Sequence, residues 1–276
     1  MPRCYIAAMP RAMTLVFLGD IVGAPGRQAL RHHLTTLREQ YTPSAIIANG
    51  ENIRNGSGIT PELYKALREM GVDAVTLGDH CFRDLKIVPV LEDPQEPIAR
   101  PANLADRAPG KRWIRLPATP ERPRDIWIIT LLGRIFFPMP AGDPFATADA
   151  FLASIPERSP VVLVEAHMEA TSEEAALAHR LDGRVAAVLG SHTHVPTADE
   201  RRLRGGTAFQ TDVGMCGPYD SVIGRDASMV VKHMVSSLPV QFEVASGDVR
   251  ICGAAVKVDV DSGLSLGIER FELRNG

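Results

Sequence analysis

The sequence predicts an α/β fold in which two packed sheets are flanked by helices. Short apolar runs alternate with helix-patterned segments through the first two thirds of the 276 residues. After residue 205 the chain turns β-rich, with strand-like runs separated by Gly-containing turns. No repeat, low-complexity tract or linker interrupts it, so residues 13–276 read as one domain.

The first strand is Thr14–Leu18, an apolar run that ends in Gly19-Asp20. Gly23-Ala24-Pro25-Gly26 reads as a turn, followed by a helix to about Tyr41 with Leu30, Leu34 and Leu37 as its apolar stripe. Ala45–Ala48 is the second strand. Thr60-Pro61-Glu62 starts a helix: Thr caps, Pro fits the first turn, and Glu favours the positive end. That helix stops at Met70-Gly71, where glycine suits a left-handed cap. Ala74–Leu77 is a strand, Arg83–Leu91 a short helix, and Asp93–Pro123 loop or edge structure. Ile126–Leu132 is a buried strand, and Asp143–Ile155 is helical. Val161–Val164 is a strand, and a capping box at Thr171-Ser172-Glu173-Glu174 opens a helix to Arg180. Val185–Leu189 is the next buried strand. Strands follow at 207–211, 240–244, 249–252, 255–260 and 265–273, with turns at 246–248 and 261–263.

Composition narrows the function. An apolar fraction of 45% is ordinary for a globular core, and a net charge of −3 gives no attraction to nucleic acid or anionic membrane. No apolar stretch is long enough to span a bilayer. Residues 1–12 are broken by Pro10 and Arg11. They read as a disordered tail, or as an extension ahead of a true start at Met13, rather than a signal peptide. Cys4, Cys81, Cys216 and Cys252 show no CxxC spacing and read as free thiols of a cytoplasmic protein. Cys81 and Cys216 adjoin site segments, but packing is the ordinary use of such a residue.

Chemistry gathers where strands end. Thr14–Leu18 ends in Asp20, and Ala45–Ala48 in Asn49-Gly50-Glu51-Asn52. Ala74–Leu77 ends in Gly78-Asp79-His80, Val161–Val164 in Glu165-Ala166-His167, and Val185–Leu189 in Gly190-Ser191-His192-Thr193-His194. Two imidazoles at i and i+2 on an extended backbone point the same way and can grip one metal centre. Asp20, Glu51, Asp79, His167, His192 and His194 together are too many ligands for one tetrahedral zinc and suit two adjacent metals. Mixed nitrogen and oxygen donors favour iron, manganese or zinc over a thiolate site. Such a pair polarises a phosphoryl group and lowers the pKa of a water between the ions for in-line attack on phosphorus. His80 could then protonate the leaving oxygen, and Asn52 could donate to a phosphate oxygen.

Taken singly, these residues have plainer readings. Asp20 could cap a turn, Glu51-Asn52 could be turn chemistry, and any one of the histidines could be a satisfied core residue. His32, His33, His179 and His233 lie on helical segments and read as surface or boundary residues. Arg134 follows a strand and could meet phosphate, although an ordinary ion pair is the commoner fate.

The motifs Gly19-Asp20-Ile21-Val22-Gly23, Asn49-Gly50-Glu51-Asn52, Gly78-Asp79-His80, Glu165 to Glu173, Gly190 to His194 and Thr211 to Asp220 resemble the YmdB-like metallophosphoesterases, relatives of the calcineurin-like phosphoesterases. The similarity runs from about Met13 to Phe271. It implies a four-layer αββα sandwich with two mixed sheets, a dinuclear centre at the strand ends, and hydrolysis of 2′,3′-cyclic nucleotides. Asp20, Glu51 and His194 would hold one metal. Glu51, Asp79, His167 and His192 would hold the other, with Glu51 bridging. Asn52 would lie beside the phosphate and His80 would be the proton donor. The resemblance implies iron first, with manganese, zinc and magnesium as alternatives, and a homodimer or homotetramer. One departure stands out: the family has Gly-Asn-His where this chain has Gly78-Asp79-His80. The extra anion predicts tighter cation binding, weaker Lewis acidity and a shift toward harder ions; the alternative is a swap of little consequence, because Asp and Asn have nearly the same shape.

Three other activities compete. The same site could act on phosphomonoesters or other phosphodiesters, since substrate choice lies in loops such as 54–58 and 214–220. The chain could be a regulatory protein that has kept the fold and lost turnover. A metal-dependent amidohydrolase also uses HxH, but there the motif closes the first strand of a barrel, whereas here it comes late and an Asp comes first.

Overall fold

The computed structural model describes residues 11–137 and 139–274. Its first half runs β1 (Ala12–Leu18), β2 (Asp20–Ile21), α1 (Gly23–Tyr41), β3 (Ala45–Asn49), α2 (Pro61–Met70), β4 (Ala74–Thr76), α3 (Val88–Glu92), β5 (Ile114–Leu116), β6 (Ile126–Leu132) and α4 (Pro144–Ser154). It continues with β7 (Val161–His167), α5 (Thr171–Leu181), β8 (Ala187–Ser191), β9 (Arg201–Arg202), β10 (Ala208–Gln210), β11 (Met215–Asp220), α6 (Ala227–Ser236), β12 (Gly247–Asp259) and β13 (Ser265–Arg274).

The strands form two sheets. The first has the order β2-β11-β12-β1-β3-β4, with β13 also paired to β12; the second has the order β5-β6-β7-β8-β10-β9. β1, β3 and β4 run parallel in one sheet, and β6, β7, β8 and β10 run parallel in the other. Parallel neighbours end at the same edge, so each sheet gathers its carboxyl-terminal strand ends together.

The period-two alternation of side chains makes the layers. Leu15 and Phe17 of β1 join Ile47, Ile128, Leu163 and Leu189 in a core between the sheets. Val16 and Leu18 face the other way, against Leu30, Leu34 and Leu37 of α1 and Leu67 of α2. On the far side, Val162, Val164 and Val188 pack against Phe151 of α4 and Leu177 and Leu181 of α5. The result is the four-layer αββα sandwich.

Several local expectations are corrected. Gly23–Gly26 is the first turn of α1, not a separate turn. Residues 249–252 and 255–260 merge into β12, because antiparallel partners on both sides carry the strand through Gly253 and Ala254. Residues 240–244 form no strand, because only Val244 finds a partner, in a single bridge to Arg225. Thr171 is helical rather than capping. Ala170 precedes α5 without a side-chain cap, and the Glu173 carboxylate instead accepts from the Arg134 and Ile135 amides. The short helix expected over 83–91 is a 3-10 turn, Leu85–Ile87, leading into α3. Ala12, assigned to the tail, opens β1, and residues 1–10 lie outside those described. Thr60 and Gly71 bound α2 as expected: the Thr60 side chain accepts from the Leu63 amide at 3.3 Å, and Gly71 has φ 96°. Among the described residues, no helix is long and apolar enough to cross a membrane.

Candidate metal centre

The two sheets supply different chemistry. Asp20 opens β2, Glu51 follows β3 and Asp79 follows β4, so the first sheet brings carboxylates. His167 closes β7, and His192 and His194 follow β8, so the second sheet brings imidazoles. All six meet at one edge of the sandwich.

Glu51, Asp79, His167 and His192 each offer a ligand atom within 4.8 Å of the others. His167 Nε2 lies 3.3 Å from Glu51 Oε1, 3.2 Å from Asp79 Oδ1 and 3.2 Å from His192 Nδ1. The other ring nitrogen of His192 faces Glu169 Oε2 at 3.3 Å, outside the cluster. Gly78 passes directly beneath: a Cβ there would stand 2.1 Å from His167 Nε2 and 2.4 Å from Glu51 Oε2. A side chain at this position would therefore fill the space the donors enclose.

Asp20 and His194 stand beside this set, joined to it by Asn52. His194 Nε2 is 3.6 Å from Asp20 Oδ1. Asn52 Nδ2 lies 3.2 Å from Asp20 Oδ1, 3.3 Å from Glu51 Oε1 and 3.2 Å from His194 Nε2. Glu51 Oε1 thus touches both groups. His80 Nδ1 donates to Asn52 Oδ1 at 2.9 Å, and its Nε2 is 3.6 Å from Asp79 Oδ2. His194 Nδ1 donates to the Ile223 carbonyl at 2.9 Å, which leaves Nε2 as the free nitrogen facing Asp20.

The field of this cluster calls for positive charge. Burial pushes the Asp20 carboxyl up, but His194 beside it wins and holds it well below the usual range. Asp79 is likewise opposed by burial and held low by hydrogen bonds to His167 and His192. Burial works to lower His167 and His194. Glu51 and Asp79 overcome it at the first, Asp20 at the second, and both imidazoles are raised. Oxygen and nitrogen donors that stabilise a proton in this way fit a divalent or trivalent cation.

The HxH segment departs from the expectation of two parallel imidazoles on extended backbone. β8 ends at Ser191, and His192 and His194 take left-handed φ values of 97° and 66°. The turn splits the pair, sending His192 to the four-residue cluster and His194 to Asp20. Such backbone is costly away from glycine and persists only where its surroundings hold it. Asp212 does the holding, accepting from Thr193 N at 3.0 Å, Thr193 Oγ1 at 2.8 Å and Gly214 N at 2.6 Å.

Other expected residues fall outside the site. Cys81 and Cys216 are buried free thiols, and neither joins the ligand cluster. Burial pushes Cys81 up to about 12, which disfavours a thiolate. His32 and His179 are exposed and His233 is half-buried, but His33 is buried in α1 rather than at its surface. Arg134 is exposed, and its backbone amide donates to Glu173. Gly214–Asp220, expected as a substrate loop, is largely β11.

Sequence reasoning passed over several supporting groups. Phe137 packs on the His192 ring, with centroids 4.8 Å apart. Glu165 and Asp212 carry no spacing signal of their own, since an isolated acid in or after a strand matches no template. The one available hint was that Glu165 and Asn49 both sit at ligand-bearing strand ends.

The chain matches the YmdB-like protein family over residues 16–271. It is 40% identical over 259 residues to a 2′,3′-cyclic-nucleotide 2′-phosphodiesterase of Bacillus subtilis, covering 94% of this chain and 96% of that one. A crystal structure of a hypothetical protein from Thermus thermophilus superposes with a TM-score of 0.86 at 40% identity, covering 96% of this chain and all of that one. A structure described as a novel phosphatase of Mycoplasma pneumoniae gives a TM-score of 0.88 at 30% identity, covering 96% and 95%.

Proposed function

This chain belongs to the YmdB-like family, and from that premise we propose that it is a metal-dependent phosphodiesterase that hydrolyses 2′,3′-cyclic nucleotides. One observation carries the reading: Glu51, Asp79, His167 and His192 bring four ligand atoms within 4.8 Å of one another, with Asp20, Asn52 and His194 in hydrogen-bond or ion-pair range alongside. On this reading Asp20, Glu51 and His194 would hold one cation, and Glu51, Asp79, His167 and His192 would hold a second. Iron is the first choice of metal, with manganese, zinc and magnesium as alternatives. Bound there, the cations would supply Lewis acidity to the phosphoryl oxygens and a lowered pKa to a neighbouring water.

The chain's own groups divide the remaining work. Asn52 presents its amide beside the phosphate and, through Oδ1, fixes the His80 ring at 2.9 Å. His80 gives its proton to the leaving ribose oxygen, with its Nε2 3.6 Å from Asp79 Oδ2. Hydrolysis consumes one water and opens the cyclic phosphate to a nucleoside monophosphate. Buried thiols at Cys81, Cys216 and Cys252 suit the reducing cytoplasm assigned to it. Self-association as a homodimer or homotetramer is assigned to α6, where Met234 is 73% and Val235 82% exposed.

The test pairs metal analysis of purified protein with a substrate panel of a 2′,3′-cyclic nucleotide, a 3′,5′-cyclic nucleotide and p-nitrophenyl phosphate. The 2′,3′-cyclic substrate is expected to turn over fastest, and chelation is expected to abolish its hydrolysis. Preference for the monoester would make the protein a phosphatase. Metal-loaded protein inert on all three would make it a regulatory relative.

A further inference from the structure

One fully buried carboxylate beneath the site is used by none of this chemistry. Glu165, on β7, accepts from Ser191 Oγ at 2.7 Å and Asn49 Nδ2 at 2.6 Å through Oε1, and from Thr130 Oγ1 at 2.8 Å through Oε2. These partners sit on β8, β3 and β6. The carboxylate therefore ties four strand ends together and crosses from one sheet to the other. Two of the three contacts lead to ligands. Asn49 Oδ1 accepts from the Glu51 amide at 2.9 Å, bracing the turn that carries Glu51. Ser191 Oγ lies 2.9 Å from His167 Nδ1.

The direction of that last bond follows from proton counting. A carboxylate has no hydrogen to give, so at 2.7 Å the single hydroxyl proton of Ser191 goes to Glu165. Ser191 can then only accept from His167, which puts the ring proton on Nδ1. With that proton on Nδ1, Nε2, the nitrogen that faces Glu51, Asp79 and His192, is the one that would present a lone pair to a cation.

We propose that Glu165 is a positioning residue that, through Ser191, fixes the His167 tautomer and ring orientation for metal ligation, and through Asn49 braces Glu51 in the same site. The proposal rests on the metal-centre reading above. It extends that reading to a relay, Glu165 to Ser191 to His167, of the kind that raises ligand basicity and orients imidazoles at metal sites.

Zinc, being diamagnetic, is the probe. Full-length protein labelled with ¹⁵N-histidine and loaded with Zn²⁺ is examined by two-bond ¹H–¹⁵N correlation, with the His167 signal assigned by its loss in His167→Gln. Zinc affinity is measured by competition with a chromophoric chelator. Wild-type His167 is expected to show a protonated Nδ1. Ser191→Ala is expected to weaken zinc binding by about 10- to 100-fold. Ser191→Thr, which keeps the hydroxyl, is expected to stay within about threefold of wild type. Glu165→Gln keeps an oxygen for Ser191 and should retain the tautomer, whereas Glu165→Ala should lose it. A wild-type His167 protonated at Nε2 overturns the proposal without any variant having to fold. So does a Ser191→Ala protein that binds zinc as wild type does. Wild-type protein that binds no zinc removes both this inference and the metal-centre reading, whereas equal affinities remove this inference alone.

Discussion

Glu174 offers a sharp test of how the floor of the site is built. It is buried on α5, and its Oε1 has no hydrogen-bond partner among the described residues. Burial first, and then the Asp212 and Asp199 carboxylates, push its carboxyl from an ordinary 4.5 up to about 10. The folded protein therefore holds this proton at neutral pH, whereas the unfolded chain releases it. A group that binds its proton more tightly when folded makes stability fall as pH rises between those two values. Each pH unit is worth about 1.4 kcal/mol, so at pH 7 the penalty is roughly 3 kcal/mol. Glu174→Gln mimics the protonated side chain and has nothing to titrate. The variant should match wild type near pH 4 and be more stable at pH 7 by roughly 3 kcal/mol, or roughly 6–12 °C in Tm for a domain of this size. Thermal unfolding of both proteins from pH 4 to 9 measures this. The gap should widen with pH. Parallel curves, or a gap that narrows as pH rises, would refute the assignment of a neutral Glu174. The same proton bears on the metal centre, because Asp212, itself pushed up to about 6 by burial and then by Asp20, pins the His192–His194 turn.

Other perturbations reach the ligands directly. Asp79→Asn removes one charged contact, worth roughly 1.5 kcal/mol, so zinc affinity should drop about tenfold by chelator competition. Unchanged metal content and turnover would show that the carboxylate does not tune the site. Gly78→Ala drives a methyl to 2.1 Å from His167 Nε2 and should cost at least about 100-fold in zinc affinity, with near-native affinity ruling out the donor arrangement described. Met234→Asp puts charge on the exposed face of α6 and should shift the protein to monomer in sedimentation velocity. An unchanged sedimentation coefficient would remove α6 as the self-association surface.

The strand ends that carry the candidate ligands were legible because buried parallel strands read as apolar runs and the chemistry sits one to five residues past each. The caps of α2 were legible because Thr60 and Gly71 act on their own neighbours. What failed was set by distant partners. β11 reads Met215-Cys216-Gly217-Pro218-Tyr219-Asp220, with Gly and Pro and no alternation, yet it is a strand because β2 and β12 flank it. Val240–Val244 alternates well and is no strand, because its pairing stops at a single bridge between Val244 and Arg225. The divergence of His192 and His194 depends on Asp212, 18 residues beyond His194 in sequence, and no local pattern reports that contact. Glu165 was quoted only as part of a motif, because the significance of a lone acid in an apolar strand lies wholly in what packs around it.

Oxygen donors on one sheet and nitrogen donors on the other impose an order on biosynthesis. A ribosome finishes Asp20, Glu51 and Asp79 long before His167, His192 and His194 leave the exit tunnel. Even then the first sheet lacks β12, which must insert between β1 and β11 from the far end of the chain. Only once β12 is in place do the candidate donors of both sheets stand on completed sheets.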